Sequence, residues 1–332
     1  MNVRMDIFTT KKNCSMDIVV VGACFCDLQT YVDSYPTPGE TILGRKFQMD
    51  FGGKGANTCV MAAKLGAKTS MVSVVGDDVL GKETLANFVK FGVNTECLGT
   101  ATEVATAMTN CIVDNQGEPS YISIPGASKY VSLTHIHNAK HVIEQSKVLV
   151  TNNGIPSSTA LEALKLGKKC GCITVYNPSP MIYELPDELW ENVDVLILNM
   201  KEASVLTGLE VTSNFGCKEA CHWFHNRGIF CVILTMGDCG ANISFNDLGN
   251  FTGNIGKNDF CHVPAPTVHV VDSTGAGDSL TGAFAFYISC YPHLPLREVV
   301  SRSVAIATKT VEMEGVQKSY PPRESLPQYL FD

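Results

Sequence analysis

Two glycine-rich stretches carry the residue types best suited to chemistry, and the later one is the more informative. There Val270-Val271-Asp272-Ser273-Thr274 runs into Gly275-Ala276-Gly277-Asp278-Ser279, and an apolar helical stretch follows from 280 to 291. Gly275 and Gly277 can take backbone angles closed to other residues, and they leave room for a ligand against the main chain. Successive N–H groups at a helix start form an anion site, and the helix dipole strengthens it. Charge on a migrating phosphoryl group would be stabilised there. A carboxylate beside such a site can accept the proton of an attacking hydroxyl. Taken alone, Asp278 reads equally as that base or as a helix cap.

The earlier stretch is Gly52-Gly53-Lys54-Gly55-Ala56-Asn57, at another helix start. Its glycines bring the backbone close to a ligand, while Lys54 and Asn57 supply donors for hydroxyl groups. Asp27, just after the first strand, is a candidate acceptor for two sugar hydroxyls; by itself it is an ordinary loop carboxylate. Two other patterns mislead. Gly76-Asp77-Asp78-Val79-Leu80-Gly81-Lys82-Glu83 nearly spells a phosphate-binding P-loop. It ends on Glu83 where a hydroxyl should hold magnesium, and Asp77 and Asp78 would repel phosphate. The glycines at 275 and 277 also fail the dinucleotide pattern, at its last position and in their place along the chain.

The elements that must position these residues follow from periodicity. Residues 18–21 are a continuous β-branched run ending in Gly22, as expected of a buried parallel strand. From 28 to 50, short strand-like pieces are broken by Pro36, Pro38, Gly39 and Gly44, which predicts a small antiparallel layer. Residues 106–113 and 120–124 flank Asp114-Asn115-Gln116-Gly117, a hairpin signal, and extend that layer. Helices are expected at 56–65, stopped by Gly66, and at 80–91, closed by Gly92. A strand is expected at 69–75. Further strands at 148–151, 172–176, 195–198 and 230–235 alternate with helices at 157–166, 201–206 and 217–225. That rhythm predicts an α/β fold with a mainly parallel sheet and helices on both faces.

Composition bounds the function classes. The chain has 332 residues, 45% of them hydrophobic and 17% charged, which provides for a large core and argues against disorder. Its net charge of −8 disfavours nucleic-acid binding, which needs a basic surface. No apolar run reaches the ~18 residues of a membrane span, so no membrane partner is expected. The 14 cysteines are scattered without a C-x-x-C pair, and they read as small apolar filler in a reducing compartment. Cys217, Cys221, His222 and His225 share a helix, but their spacing matches no usual zinc pattern. Residues 1–16 are polar without a signal-peptide core and read as a disordered extension. Residues 17–332 read as one domain.

With both glycine stretches in place, the chain resembles the ribokinase group of the PfkB carbohydrate kinases, over nearly its whole length. The resemblance rests on Gly52-Gly53-Lys54-Gly55-Ala56-Asn57 and Asp272-Ser273-Thr274-Gly275-Ala276-Gly277-Asp278, which together in this order are specific. It implies a ribokinase-like fold, with a large α/β body and a small β-sheet lid from about 28–50 and 106–124. It implies Asp278 as catalytic base, with Gly275, Ala276 and Gly277 as the anion hole. It places Asp27, Gly53, Lys54, Asn57 and Asp278 on the sugar. It places Asn177, Asn199, Glu202, Thr235, Gly237, Gly275 and Gly277 on ATP. Asn199 and Glu202, in an N-x-x-E motif, would position magnesium through water. An activating potassium ion would take the side chains of Asp272 and Ser319 and the carbonyls of Thr274, Thr310, Met313 and Gly315.

The implied activity is transfer of the γ-phosphoryl group of ATP to the primary hydroxyl of a small sugar, D-ribose to D-ribose 5-phosphate first. A homodimer paired through the lid and a cytoplasmic location, with the nucleus open, are also implied. Two departures bear on this. Family ribokinases carry a sugar-binding Glu in a Q-L-E-like segment, where this chain has Asn152-Asn153-Gly154. Loss of that charge-assisted bond could weaken sugar binding by about 1.5–3 kcal/mol, roughly ten- to a hundredfold. Asn152 or Asn153 is a candidate substitute. Val304 stands where animal relatives have Asn near the adenine. These departures keep open a kinase for another small sugar, polyol or nucleoside, and a non-catalytic sugar sensor.

Overall fold

The computed structural model describes residues 14–182, 185–246 and 260–332. The chain opens with β1 (Met16–Val21), β2 (Phe25–Tyr31), β3 (Lys46–Gly52), α1 (Lys54–Lys64), β4 (Thr69–Gly76), α2 (Val79–Lys90) and β5 (Leu98–Ala101). It continues through β6 (Met108–Val113), β7 (Pro119–Ile124), α3 (Leu133–Asn138), α4 (Lys140–Glu144), β8 (Ser146–Asn152), α5 (Ser157–Lys169) and β9 (Ile173–Asn177). Then come α6 (Asp187–Trp190), β10 (Val195–Asn199), α7 (Met200–Thr207), α8 (Asn214–His225), β11 (Cys231–Thr235) and β12 (Ala241–Phe245). It ends with β13 (Phe260–Val263), α9 (Ala276–Cys290) and α10 (Leu296–Thr310).

Nine strands form the main sheet in the order β13-β12-β11-β10-β9-β8-β1-β4-β5. All neighbours from β11 to β5 pair in parallel, and β12 and β13 join antiparallel at one edge. The central strands are β-branched and aliphatic because both of their faces are covered. One face packs on α1, α9 and α10, and the other on α3, α5, α7 and α8. Helix α9 is apolar nearly all round because it lies between the sheet, α1 and α10. A separate four-stranded sheet, β3-β2-β6-β7, is the small layer expected as a lid, but it is mixed and not antiparallel throughout, because β2 and β6 pair in parallel between two antiparallel hairpin pairs. Its first strand begins at Phe25, sooner than the proline-broken pattern suggested, and residues 32–45 form no strand. Those prolines and glycines interrupt the layer and leave a loop between β2 and β3. The expected disordered extension falls mostly on residues 1–13, outside the described residues; β1 itself starts at Met16.

Sequential strands diverge at β1, which has β8 on one side and β4 on the other. In such sheets a crevice opens at the carboxyl ends of the strands where the order switches. Helix α1 reaches this point by close approach of two glycines. A Cβ on Gly55 would lie 2.8 Å from the Cα of Gly22.

Candidate active site

The two glycine stretches, far apart in the chain, meet at the crevice. Gly53 caps α1 with φ 88°, and a Cβ there would sit 2.6 Å from the Ala23 carbonyl oxygen. Glycine is therefore required for the turn from β3 into α1. The first turn of α1 holds Lys54 and Asn57, and the first turn of α9 holds Asp278. Asn57 Nδ2 donates to Asp278 Oδ2 at 2.8 Å, and Lys54 Nζ stands 3.8 Å from Asp278 Oδ1. Asp278 is only 6% exposed. Burial raises its pKa above the ordinary carboxylate value, while Lys54 and Asn57 oppose the rise. The result is a shielded carboxylate with more basic character than a surface one. The helix-cap reading fares less well, because Gly275 occupies the N-cap position and the Asp278 side chain meets Asn57 and Lys54 of α1.

Gly275 has φ 81°, and its carbonyl accepts from the Tyr320 hydroxyl at 3.0 Å. A Cβ at this position would meet Val316 Cγ1 at 2.5 Å. Beyond Gly277, by contrast, the space is open for 4 Å. Ala276 N donates to the Ser273 carbonyl at 3.3 Å, whereas the Gly277 and Asp278 N–H groups have no intrahelical partner and stand at the open end of α9 beside a buried carboxylate.

Asp27 lies in β2 directly opposite Asp50 of β3. Its carboxyl group abuts Gly52, where a Cβ would come within 2.1 Å of Asp27 Oδ2. Burial first, then the Asp50 charge, push the Asp27 pKa to about 6, against a smaller lowering by Thr109. Asp50 pairs with Lys318 at 3.2 Å, which ties the lid to the C-terminal turn.

The nucleotide-side candidates line the strand ends on the other flank. Asn199 ends β10 and caps α7 in a reciprocal box with Glu202: Glu202 N donates to Asn199 Oδ1 at 2.8 Å, and Asn199 N donates to Glu202 Oε2 at 2.9 Å. The pair is thus a structural capping box as well as an acidic site. It fits a magnesium ion held through water, since the box engages Glu202 through Oε2 alone. Asn177 ends β9 and donates to the Ile197 carbonyl at 2.8 Å. Thr235 ends β11, and Gly237 begins the next turn with φ 59°. Val304 is buried in α10, within the core.

Asp272 joins two loops: Thr274 N donates to Oδ1 at 2.9 Å and Gly315 N to Oδ2 at 3.1 Å. Val271 N and Asp272 N both donate to the Val311 carbonyl. Ser319 is buried and its hydroxyl donates to the Val316 carbonyl at 2.8 Å. Asp272 and Thr274 lie in one loop, Met313, Gly315 and Ser319 in the other, and Thr310 at the end of α10; their oxygens are of the hard kind a weakly held monovalent cation takes.

Gly154 has a steric explanation. A Cβ there would lie 2.9 Å from Ala23 Cβ and 3.0 Å from Asn152 Oδ1. Both asparagine oxygens already accept one hydrogen bond. Asn152 Oδ1 takes the Gly154 N–H at 3.0 Å, and Asn153 Oδ1 takes the buried Tyr176 hydroxyl. The near-P-loop at 76–83 is explained as well. Asp78 caps α2 by accepting from Gly81 N and also holds the Thr106 N–H and hydroxyl. Sequence reading passed over Gln317, Tyr320, Lys64 and Asp50. Gln317 and Tyr320 lie in a turn of no marked pattern, and only their burial distinguishes them.

Residues 15–323 match the pfkB family carbohydrate kinase profile. The chain belongs to the pfkB family of carbohydrate kinases. It is 36% identical to a ribokinase of Mus musculus, over 95% of this chain and 94% of that one. It is 31% identical to a deoxyribokinase of Salmonella typhi, over 95% of this chain and 99% of that one. Among solved structures, an Arabidopsis thaliana ribokinase complexed with ribose and ATP superposes with a TM-score of 0.85 at 26% identity, covering 96% of this chain and 99% of that one.

Proposed function

We propose that the protein transfers the γ-phosphoryl group of ATP to the primary hydroxyl of D-ribose, giving D-ribose 5-phosphate. The observation that carries this reading is the buried Asp278 carboxylate at the start of α9, held by Asn57 and Lys54 of the early glycine stretch. The named relatives, with ribose and ATP in the Arabidopsis thaliana structure, support it.

Asp278 accepts the hydroxyl proton as the sugar oxygen attacks the γ-phosphorus in line. The N–H groups of Gly275, Ala276 and Gly277 hold the charge that develops on the phosphoryl oxygens. Asp27, Gly53, Lys54 and Asn57 orient the sugar. Asn177, Asn199, Glu202, Thr235 and Gly237 face the nucleotide. Magnesium, held through water by Asn199 and Glu202, would neutralise phosphate charge. Potassium at the 272–274 and 310–319 loops would steady the anion hole. Closure of the lid excludes water, which would otherwise accept the phosphoryl group.

A second reading, a kinase for another small sugar, is favoured by Gly154, because the chain has no carboxylate at that position and a side chain there would crowd Ala23 and Asn152. The Salmonella typhi deoxyribokinase makes 2-deoxyribose the first candidate. A sugar panel in a coupled ADP-release assay, with and without potassium, decides between them. Inert ribose beside a turning-over 2-deoxyribose or polyol would overturn the first reading. Tight sugar binding with no ADP formed would leave only a sensor.

A homodimer through the lid belongs to the same proposal. Strands β3 and β7 are the lid's edges, and Phe47, Tyr121 and Ile122 are exposed there. A monomeric mass by light scattering at micromolar concentration would refute it. No helix among the described residues is long and apolar enough to cross a membrane. The many free cysteines support a reducing, cytoplasmic location, to be checked by fractionation.

A further inference from the structure

A chain of three side-chain amides ends on Asp278. Asn87 Nδ2, on α2, donates to Gln317 Oε1 at 2.9 Å. Gln317 Nε2, in the C-terminal turn, donates to Asn57 Oδ1 at 3.0 Å. Asn57 Nδ2, on α1, donates to Asp278 Oδ2 at 2.8 Å. Every bond runs the same way, with an NH2 group giving to the next oxygen, and the last oxygen is the carboxylate. Gln317 and Asn57 are 2% and 5% exposed, so water cannot replace a lost partner easily. The backbone of Gln317 is clamped as well: Lys64 Nζ donates to the Gln317 and Tyr320 carbonyls, each at 2.7 Å.

We propose that Gln317 is a positioning residue for phosphoryl transfer: oriented by Asn87, it fixes which face of the Asn57 amide meets Asp278. An amide is nearly symmetric in shape, so its partners alone decide whether NH2 or oxygen points in a given direction. With Gln317 donating to Asn57 Oδ1, the Asn57 NH2 must face Asp278. It then holds one carboxylate oxygen and keeps its second hydrogen for a substrate hydroxyl. Reversed, Asn57 would set its oxygen against the carboxylate, two acceptors with no proton between them. A directional chain also polarises each successive donor toward the charged end. This inference rests on Asp278 acting as the base.

The test compares three variants by coupled ADP release, with melting temperatures as a folding control. Q317E keeps the size of the side chain but offers only acceptors when ionised, so it forces the Asn57 amide to turn. Q317M keeps the bulk and offers neither, so Asp278 alone still selects the Asn57 orientation. The expected kcat loss is about a hundredfold for Q317E and about tenfold or less for Q317M, with the KM for ATP within about threefold in both. N87D turns the Gln317 amide and reverses the chain from its far end. It should lower kcat by at least about tenfold, although Asn87 contacts neither Asp278 nor Asn57 directly. Equal losses in Q317E and Q317M would overturn the proposal, since packing alone predicts equality. So would a Q317E kcat within about threefold of wild type. An active D278N would remove the base assignment, whereas an inactive D278N beside equal Q317E and Q317M would sink the relay alone.

Discussion

Replacing Asp278 by Asn removes the proposed base and leaves its surroundings almost intact. The new amide oxygen can still accept from Asn57 Nδ2, which now lies 2.8 Å from Asp278 Oδ2. Lys54 loses an anionic neighbour at 3.8 Å, but its side chain is 36% exposed and can turn to solvent. The fold should therefore survive; a buried carboxylate whose pKa is raised chiefly by desolvation is itself a liability. A positioned general base contributes roughly 10²–10⁴-fold in rate. At about 1.4 kcal/mol per decade, that is about 3–5 kcal/mol of barrier. We expect kcat in D278N to fall by at least about a hundredfold in a coupled ADP-release assay. Sugar Kd by calorimetry should stay within about threefold, because only the charged component of one contact changes. A kcat within about tenfold of wild type would refute the base assignment. So would a large rise in sugar Kd with kcat unchanged, since that places Asp278 in binding alone.

Asp27 carries a pH signature. Its folded pKa, about 6 against an ordinary 3.8, means that the native state binds more protons than the unfolded chain between those values, so stability falls as pH rises through that window. D27N should flatten this dependence in melting curves from pH 4 to 7, and an unchanged slope would show that the native Asp27 titrates normally. Restoring the family carboxylate with G154E should fail to tighten ribose binding. The added Cβ meets Ala23 and Asn152, and overpacking of this kind costs about 1–3 kcal/mol in denaturant unfolding; tighter ribose binding in a stable variant would contradict the steric account. G275A should lower both stability and kcat, since φ 81° disfavours any side chain and Val316 Cγ1 lies 2.5 Å from its Cβ. Wild-type melting and turnover in G275A would refute the required geometry at that turn.

Much of this architecture was legible residue by residue. The β-branched runs of β1, β4 and β8–β11 are local, and their burial on both faces follows from their composition. Gly66, Gly92 and Gly117 mark turns because positive φ angles are local too. The two glycine stretches announced helix starts without reference to any partner. The lid's limits were less legible, because prolines that break a strand pattern do not say where pairing resumes. The short strands β5, β12 and β13, at or next to the sheet's edges, carried too little periodicity to register.

By itself, then, the chain determined its central strands, several of its turns and a pair of glycine-rich helix starts, all matters of local backbone and side-chain type. Only the tertiary structure decided that Asp278 meets Asn57 and Lys54, that Gln317 and Asn87 stand behind them, and that a side chain at Gly154 would crowd Ala23 and Asn152. Those facts depend on contacts between segments distant in the chain, where packing and buried hydrogen bonds select a geometry that no local pattern records.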